Sequence, residues 1–202
     1  MLTPDDPRPD GHRIQYLLEP ERWRHYDPHV FDYLYKKVIE RKERTVSRLK
    51  VSGILPNCKF YSDIIQDDAT RRAAYLQRFF NFARDTDLVF FDPDNGMEVK
   101  SNPVGRKNSS KYLYFSEVHK AFSEGHSLLI YQHLPPRPRQ LFIRDLVDKF
   151  KTVTGVNFVY LYQTQFVLFF LIPQLAHDSL FAQASNRITE NWKKQIETLI
   201  IT

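Results

Sequence analysis

The residues of this chain best suited to chemistry lie in the run Asp87-Leu-Val-Phe-Phe-Asp-Pro-Asp-Asn-Gly96. Five residues of strand character, Asp87 to Phe91, lead directly into two carboxylates and an amide: Asp92, Asp94 and Asn95. In open α/β sheets ligands bind just beyond the carboxyl ends of the strands, so acids there are candidates for orienting a substrate. Pro93 keeps Asp92 extended and removes a donor, and Gly96 permits a tight turn back. The same residues are ordinary turn formers, so a structural turn competes with a site. A second strand-like run, Ser127 to Tyr131, stops at Gln132-His133. If the two strands are neighbours, both polar ends converge on one crevice. Asp92, Asp94, Asn95 and His133 are then the catalytic candidates, with Pro93, Gly96 and Gln132 on the substrate side.

Other stretches carry weaker signals. The loop Arg106-Lys-Asn-Ser-Ser-Lys-Tyr112 is basic and closes on an aromatic, which makes Lys111 and Tyr112 candidates for phosphate or substrate contact; a solvated basic loop is the alternative. Near the start, Asp5, Asp6, Asp10, Gly11 and His12 form an acidic loop suited to a ribose or a metal, although their spacing matches no metal motif. Glu98-Val99-Lys100 fits the Glu-x-Lys half of a metal-dependent nuclease motif, with Pro93-Asp94 upstream but much closer than such enzymes place it. Neither a phosphate-binding Gly-x-x-x-x-Gly-Lys-Ser/Thr loop nor Gly-x-Gly-x-x-Gly occurs, and the six glycines are scattered.

The elements that must hold these groups can be read from periodicity. Asp27 caps and Pro28 opens a helix with Phe31, Leu34, Tyr35 and Val38 at helical spacing. Thr45 to Leu49 suits a short strand or helix equally. Gly53 to Pro56 is a turn, and Cys58 to Ser62 alternates like a strand. Asp67-Asp68 start a second helix, where the dipole favours acids. After the Asp92 strand, Ser116 to Ser123 is a helix, residues 139–150 form an amphipathic helix, and Asn157–Tyr162 with Gln165–Ile172 make a hairpin. A final helix is expected from about Thr189 to Leu199. Strands alternating with helices predict an α/β fold: a mostly parallel sheet, helices on both faces, and a C-terminal antiparallel hairpin.

Bulk properties set the bounds. The chain has 202 residues, 42% hydrophobic and 26% charged, which suits one globular domain with a real core. Its net charge of +5 permits a nucleic-acid partner without demanding one. A single cysteine, Cys58, excludes an internal disulfide and a cysteine zinc site and points to a cytoplasmic setting. The most apolar run, Phe166 to Ile172, is too short to span a bilayer, so no membrane partner is expected.

Two resemblances extend this reading. Over nearly its whole length the chain resembles a family of uncharacterised bacterial proteins. The resemblance rests on Met1 to Asp6 with Asp10-Gly11, Tyr16-Leu17 through Pro28, Gly53 to Pro56, Phe90 to Gly96, Lys111-Tyr112, and Leu128 to Pro135. It implies that this chain lacks an upstream first strand or helix that members of the family carry. More distantly, the order of elements resembles the adenine-N6 methyltransferases of ribosomal RNA, which have a Rossmann-like fold. There a strand ends in Asp-Pro-Pro-Tyr; the carboxylate accepts the target amino group and the Tyr stacks on the base. Asp92-Pro93 keeps the first half, while Asp94 and Asn95 replace Pro and Tyr. The resemblance implies methyl transfer from S-adenosylmethionine to a base amine, with Asp5, Asp6 and Gly11 toward the cofactor. The alternatives are a Mg²⁺- or Mn²⁺-dependent hydrolase or nuclease on Asp92 and Asp94, or a binding module without catalysis.

Overall fold

The computed structural model describes residues 14–43, 47–50 and 52–202. Two units separate along the chain, one within residues 5–60 and one comprising residues 61–202. The first holds α1 (Pro20–Trp23), α2 (Pro28–Leu34) and α3 (Ser47–Lys50). Asp27 caps α2 as its sequence predicts, its carboxylate accepting from the Val30 N–H at 3.0 Å. The helix continues through Tyr35–Glu40 as a π-helical turn. Cys58–Ser62 forms no strand: alternation alone leaves a strand's N–H and C=O groups unpaired without a neighbour.

Residues 61–202 form a five-stranded sheet with helices on both faces. Its strands are β1 (Leu88–Phe91), β2 (Ser127–His133), β3 (Val159–Gln163), β4 (Val167–Ile172) and β5 (Glu197–Ile201), in the order β1-β2-β4-β3-β5. β1 and β2 pair in parallel, whereas the β2–β4, β4–β3 and β3–β5 pairs are antiparallel. The expected mostly parallel sheet is thus corrected to a mixed, mostly antiparallel one. The helical crossovers do leave β1, β2 and β3 pointing the same way. The short turn after Gln163, however, folds β4 back between β2 and β3, so the neighbours change while the directions do not.

Four helices cover this sheet: α4 (Ala69–Ala83), α5 (Phe115–Ser123), α6 (Arg139–Thr154) and α7 (Asp178–Trp192). Phe80, Val118, Ala121, Ile143, Val147 and Phe150 from the first three pack with Val89, Phe91, Leu128, Ile130, Leu161 and Phe170 to form the main core. On the other face α7 sets Phe181 against Tyr160, Tyr162 and Leu171. The final helix expected over Thr189–Leu199 is also corrected. α7 ends at Trp192, and Glu197–Ile201 pairs with β3. Trp192, Ile196 and Leu199 suit helical spacing, but the open hydrogen-bonding edge of β3 wins the last segment. No helix among the described residues is long and apolar enough to cross a membrane.

Candidate functional site

The site follows from strand alternation. Val89 and Phe91 of β1 enter the main core, so Leu88, Phe90 and the following Asp92 take the opposite face. On β2, Leu128 and Ile130 are core, which sends Leu129, Tyr131 and His133 to that same opposite face. β4 contributes Phe169 there. Phe91 pairs with Ile130, and one further step sets Asp92 level with Tyr131. The two strands are neighbours, as the convergence requires, and alternation sets Asp92 and His133 on one face.

An aromatic ledge adjoins them. Phe90 is 50% exposed. Its ring lies 6.5 Å from Phe169, and Tyr131 meets Phe169 edge-on at 5.6 Å. Neither Asp92 nor His133 engages its side chain in a hydrogen bond among the described residues. The Asp92 carboxylate reaches solvent, yet desolvation raises its pKa above the ordinary carboxylate range, and Asp94 adds to this. A strand-end carboxylate with no donor and a raised pKa is a functional candidate on physical grounds.

The turn that carries Asp92 is held rigidly. Gly96 N–H donates to Pro93 O at 3.1 Å and Asn95 N–H to Lys111 O at 2.8 Å. Asp94 is exposed and Asn95 half-buried on the turn itself. Gln132 is buried; its Oε1 accepts from Met97 N–H and its Nε2 donates to His133 O, each at 2.7 Å. Gln132 therefore positions the turn instead of meeting a substrate. Gly96 lies flat against that amide with φ +79°, where a Cβ would come within 2.3 Å of it. Only glycine meets both demands.

Beyond the turn, residues 97–114 rest on a buried polar knot. The Arg72 guanidinium, 1% exposed, donates to Glu117 at 2.5 and 2.8 Å, to Ser109 O at 3.0 Å and to Tyr112 O at 2.7 Å. Glu117 also accepts the Tyr114 N–H at 3.0 Å, and Glu98 accepts the Phe115 N–H at 2.9 Å, so both acids cap α5. Glu98 thus serves α5 as a cap. Asp67 accepts the N–H groups of Asn108 and Ser110, both at 2.8 Å. Burial opposes its charge, but these donors and Arg72 outweigh it and hold its pKa below the ordinary range. Lys111 and Tyr112 thus enter the architecture through their carbonyls, and Arg106 bonds Ser101 O within its own loop.

The opposite end of the sheet holds Ser127 Oγ 2.9 Å from His177 Nδ1, with His177 Nε2 3.5 Å from Asp87. The residue types suit acyl transfer, but Ser127 is fully buried and its Oγ accepts the Gln174 N–H. This cluster fastens the start of β2. No three His, Cys, Asp or Glu residues among the described ones are grouped to hold a metal ion. Asp5, Asp6 and Gly11 lie outside the described residues. The sequence reading missed Phe90, Tyr131 and Phe169 as site residues, although the 88/90/92 alternation is visible in it. No protein-family model, curated protein or solved structure matches the chain.

Proposed function

We propose that the Phe90–Asp92–His133 face recognises an aromatic base bearing an exocyclic amino group, in a Rossmann-like, methyltransferase-like α/β unit. The observation that carries this reading is a carboxylate without hydrogen-bond donors among the described residues, on the same sheet face as a half-exposed aromatic ledge. Asp92 accepts from the amine, Phe90 stacks on the ring, and His133 borders the site. The aromatic missing after Asp92-Pro93 is replaced by one two residues before it. The parallel β1–β2 pair and the closing β3–β4 hairpin agree with the distant methyltransferase resemblance. Orienting an amine is also what methyl transfer to it requires of the protein. The residues proposed toward S-adenosylmethionine lie outside the described ones, so the reading is of acceptor recognition.

Saturation-transfer NMR with adenosine and inosine tests it. Adenosine is expected to bind about tenfold more tightly, since a charge-assisted hydrogen bond is worth about 1.5–3 kcal/mol. Asp92→Asn should erase the difference. Equal binding of the two nucleosides to the native protein would remove Asp92 from the site.

A further inference from the structure

The sheet edge that carries Asp92 becomes cationic at its far end. The ends of β1, β2 and β3 and the starts of β4 and β5 share this edge. Beside β3 and β5, Arg139, Gln163, Lys193, Lys194 and Glu197 help line a depression of about 240 Å³. Arg139 opens α6, and its Nη2 donates to Gln165 O at 2.5 Å, which fixes the guanidinium at the rim. Lys193 and Lys194 follow α7 and are exposed, with no ion pair among the described residues. Three cations face one carboxylate, Glu197, whose Oε2 accepts from Gln163 Nε2 at 2.7 Å.

Gln163 supplies the second observation. It is 5% exposed, and its Oε1 accepts no hydrogen bond. A buried acceptor left unpaired is costly and calls for a donor from outside the fold. The site thus asks for an anion and a neighbouring hydroxyl on the same ligand.

We infer that this depression takes a backbone phosphate of single-stranded RNA, with the adjacent ribose 2′-hydroxyl donating to Gln163 Oε1. The inference rests on the base-recognition reading: Gln163 shares the Leu161 side of the sheet and Phe90 the other, so the same strand crosses the end of the sheet to place a base on Phe90. From β1 to β5 is four strand spacings of about 4.8 Å, roughly 19 Å, a span of a few nucleotides. Phe166, 59% exposed on the turn between β3 and β4, offers a second stacking surface between the two ends. A 2′-hydroxyl is the group by which a protein tells RNA from DNA.

The test is fluorescence anisotropy with a labelled oligoadenylate of about eight nucleotides and its deoxy counterpart, over a range of salt. The native protein should bind the RNA several-fold more tightly than the DNA. Lys193→Ala with Lys194→Ala should weaken RNA binding at least tenfold and lower the log–log salt slope by about 0.7, for the one phosphate lost. Gln163→Leu, checked for an unchanged melting transition, should abolish the preference for RNA; loss of that preference in Gln163→Met gives the same result should the leucine variant not fold. An unchanged salt slope in the lysine variant, equal RNA and DNA binding by the native protein, or no oligonucleotide binding would each overturn the inference. If the lysine variant behaves as expected but Phe90→Ala binds normally, the phosphate site stands and the base-recognition reading falls. The reverse pattern separates them the other way.

Discussion

Glu117 and Asp92 flank the same loop, one packed under it and one at its start, and their surroundings differ in every respect that matters for function. Glu117 is buried and meets the Arg72 guanidinium and the Tyr114 N–H. Its partners consume its acceptor capacity, so it can only hold the loop in place. Asp92 has solvent access, no hydrogen-bond donor among the described residues, and a carboxyl raised by desolvation with Asp94 nearby. The comparison separates acids that build the scaffold from the acid that the scaffold presents. Paired charge fixes geometry, whereas unpaired charge at a strand end is capacity left for a ligand.

The largest test of the scaffold side is Arg72→Leu. Leaving Glu117 buried and unpaired should cost about 3–5 kcal/mol in urea denaturation and lower the Tm by about 10 °C or more. Replacing Arg72 by Met and Glu117 by Leu together should recover much of that loss, because the desolvation of both charges is then removed. A single-variant loss below about 1 kcal/mol would mean that the knot does not hold the loop.

Gly96→Ala tests the joint between the two regions. A left-handed backbone with a Cβ and a collision with Gln132 should together cost about 2–4 kcal/mol. In a Gln132→Ala background the same change should cost less, since only the backbone strain remains. Additive losses would show that the close approach is not what requires glycine.

Phe90→Ala sharpens the functional side. Half of its ring is already exposed, so stability should fall by only about 1 kcal/mol. Stacking is worth about 1–3 kcal/mol per base, so nucleoside binding should weaken about tenfold. A variant that loses stability but not binding would assign Phe90 to the core.

The smallest effects have opposite signs at the two acids. Asp92 has a raised folded pKa, so its ionisation disfavours the native state as pH rises from the unfolded carboxylate value, about 3.9, through the folded one. Asp92→Asn should therefore match the native protein below the unfolded carboxylate value and melt higher than it at pH 7. Asp67 has a lowered folded pKa, so its stabilisation is present above the unfolded value and lost as pH falls through the folded one. Asp67→Asn should melt lower at pH 7, with the gap closing as pH falls below the ordinary carboxylate range. Thermal melts across that range read both, and gaps of the same sign would dissolve the distinction between the acids.

Local signals in the sequence located much of this arrangement. Asp27 and Asp68 cap their helices because a short acidic side chain before an apolar-periodic run satisfies free N–H groups. The run from Asp87 to Gly96 reads as strand then turn from β-branched and aromatic residues followed by turn formers, and the turn closes as Pro93 to Gly96. The place of Gln132 at a strand end is visible in the sequence, whereas the Met97 N–H that occupies its amide belongs to another segment. Arg72 and Glu117 are 45 residues apart, and no periodicity links them.

The sequence by itself determined the helices that Asp27 and Asp68 cap, the strands leading to Phe91 and out from Ser127, and that Asp92 ends a strand on the same side as Phe90. These follow from interactions within a few residues, in caps, turns and alternation. Only the tertiary structure decided that β4 lies between β2 and β3, that Glu197–Ile201 joins the sheet, and that the Asp92 carboxylate has no hydrogen-bond donor among the described residues while Glu117 is fully paired. Strand order and the pairing of buried charges are set by which edges and side chains compete for one another across the chain, and that competition has no local signature.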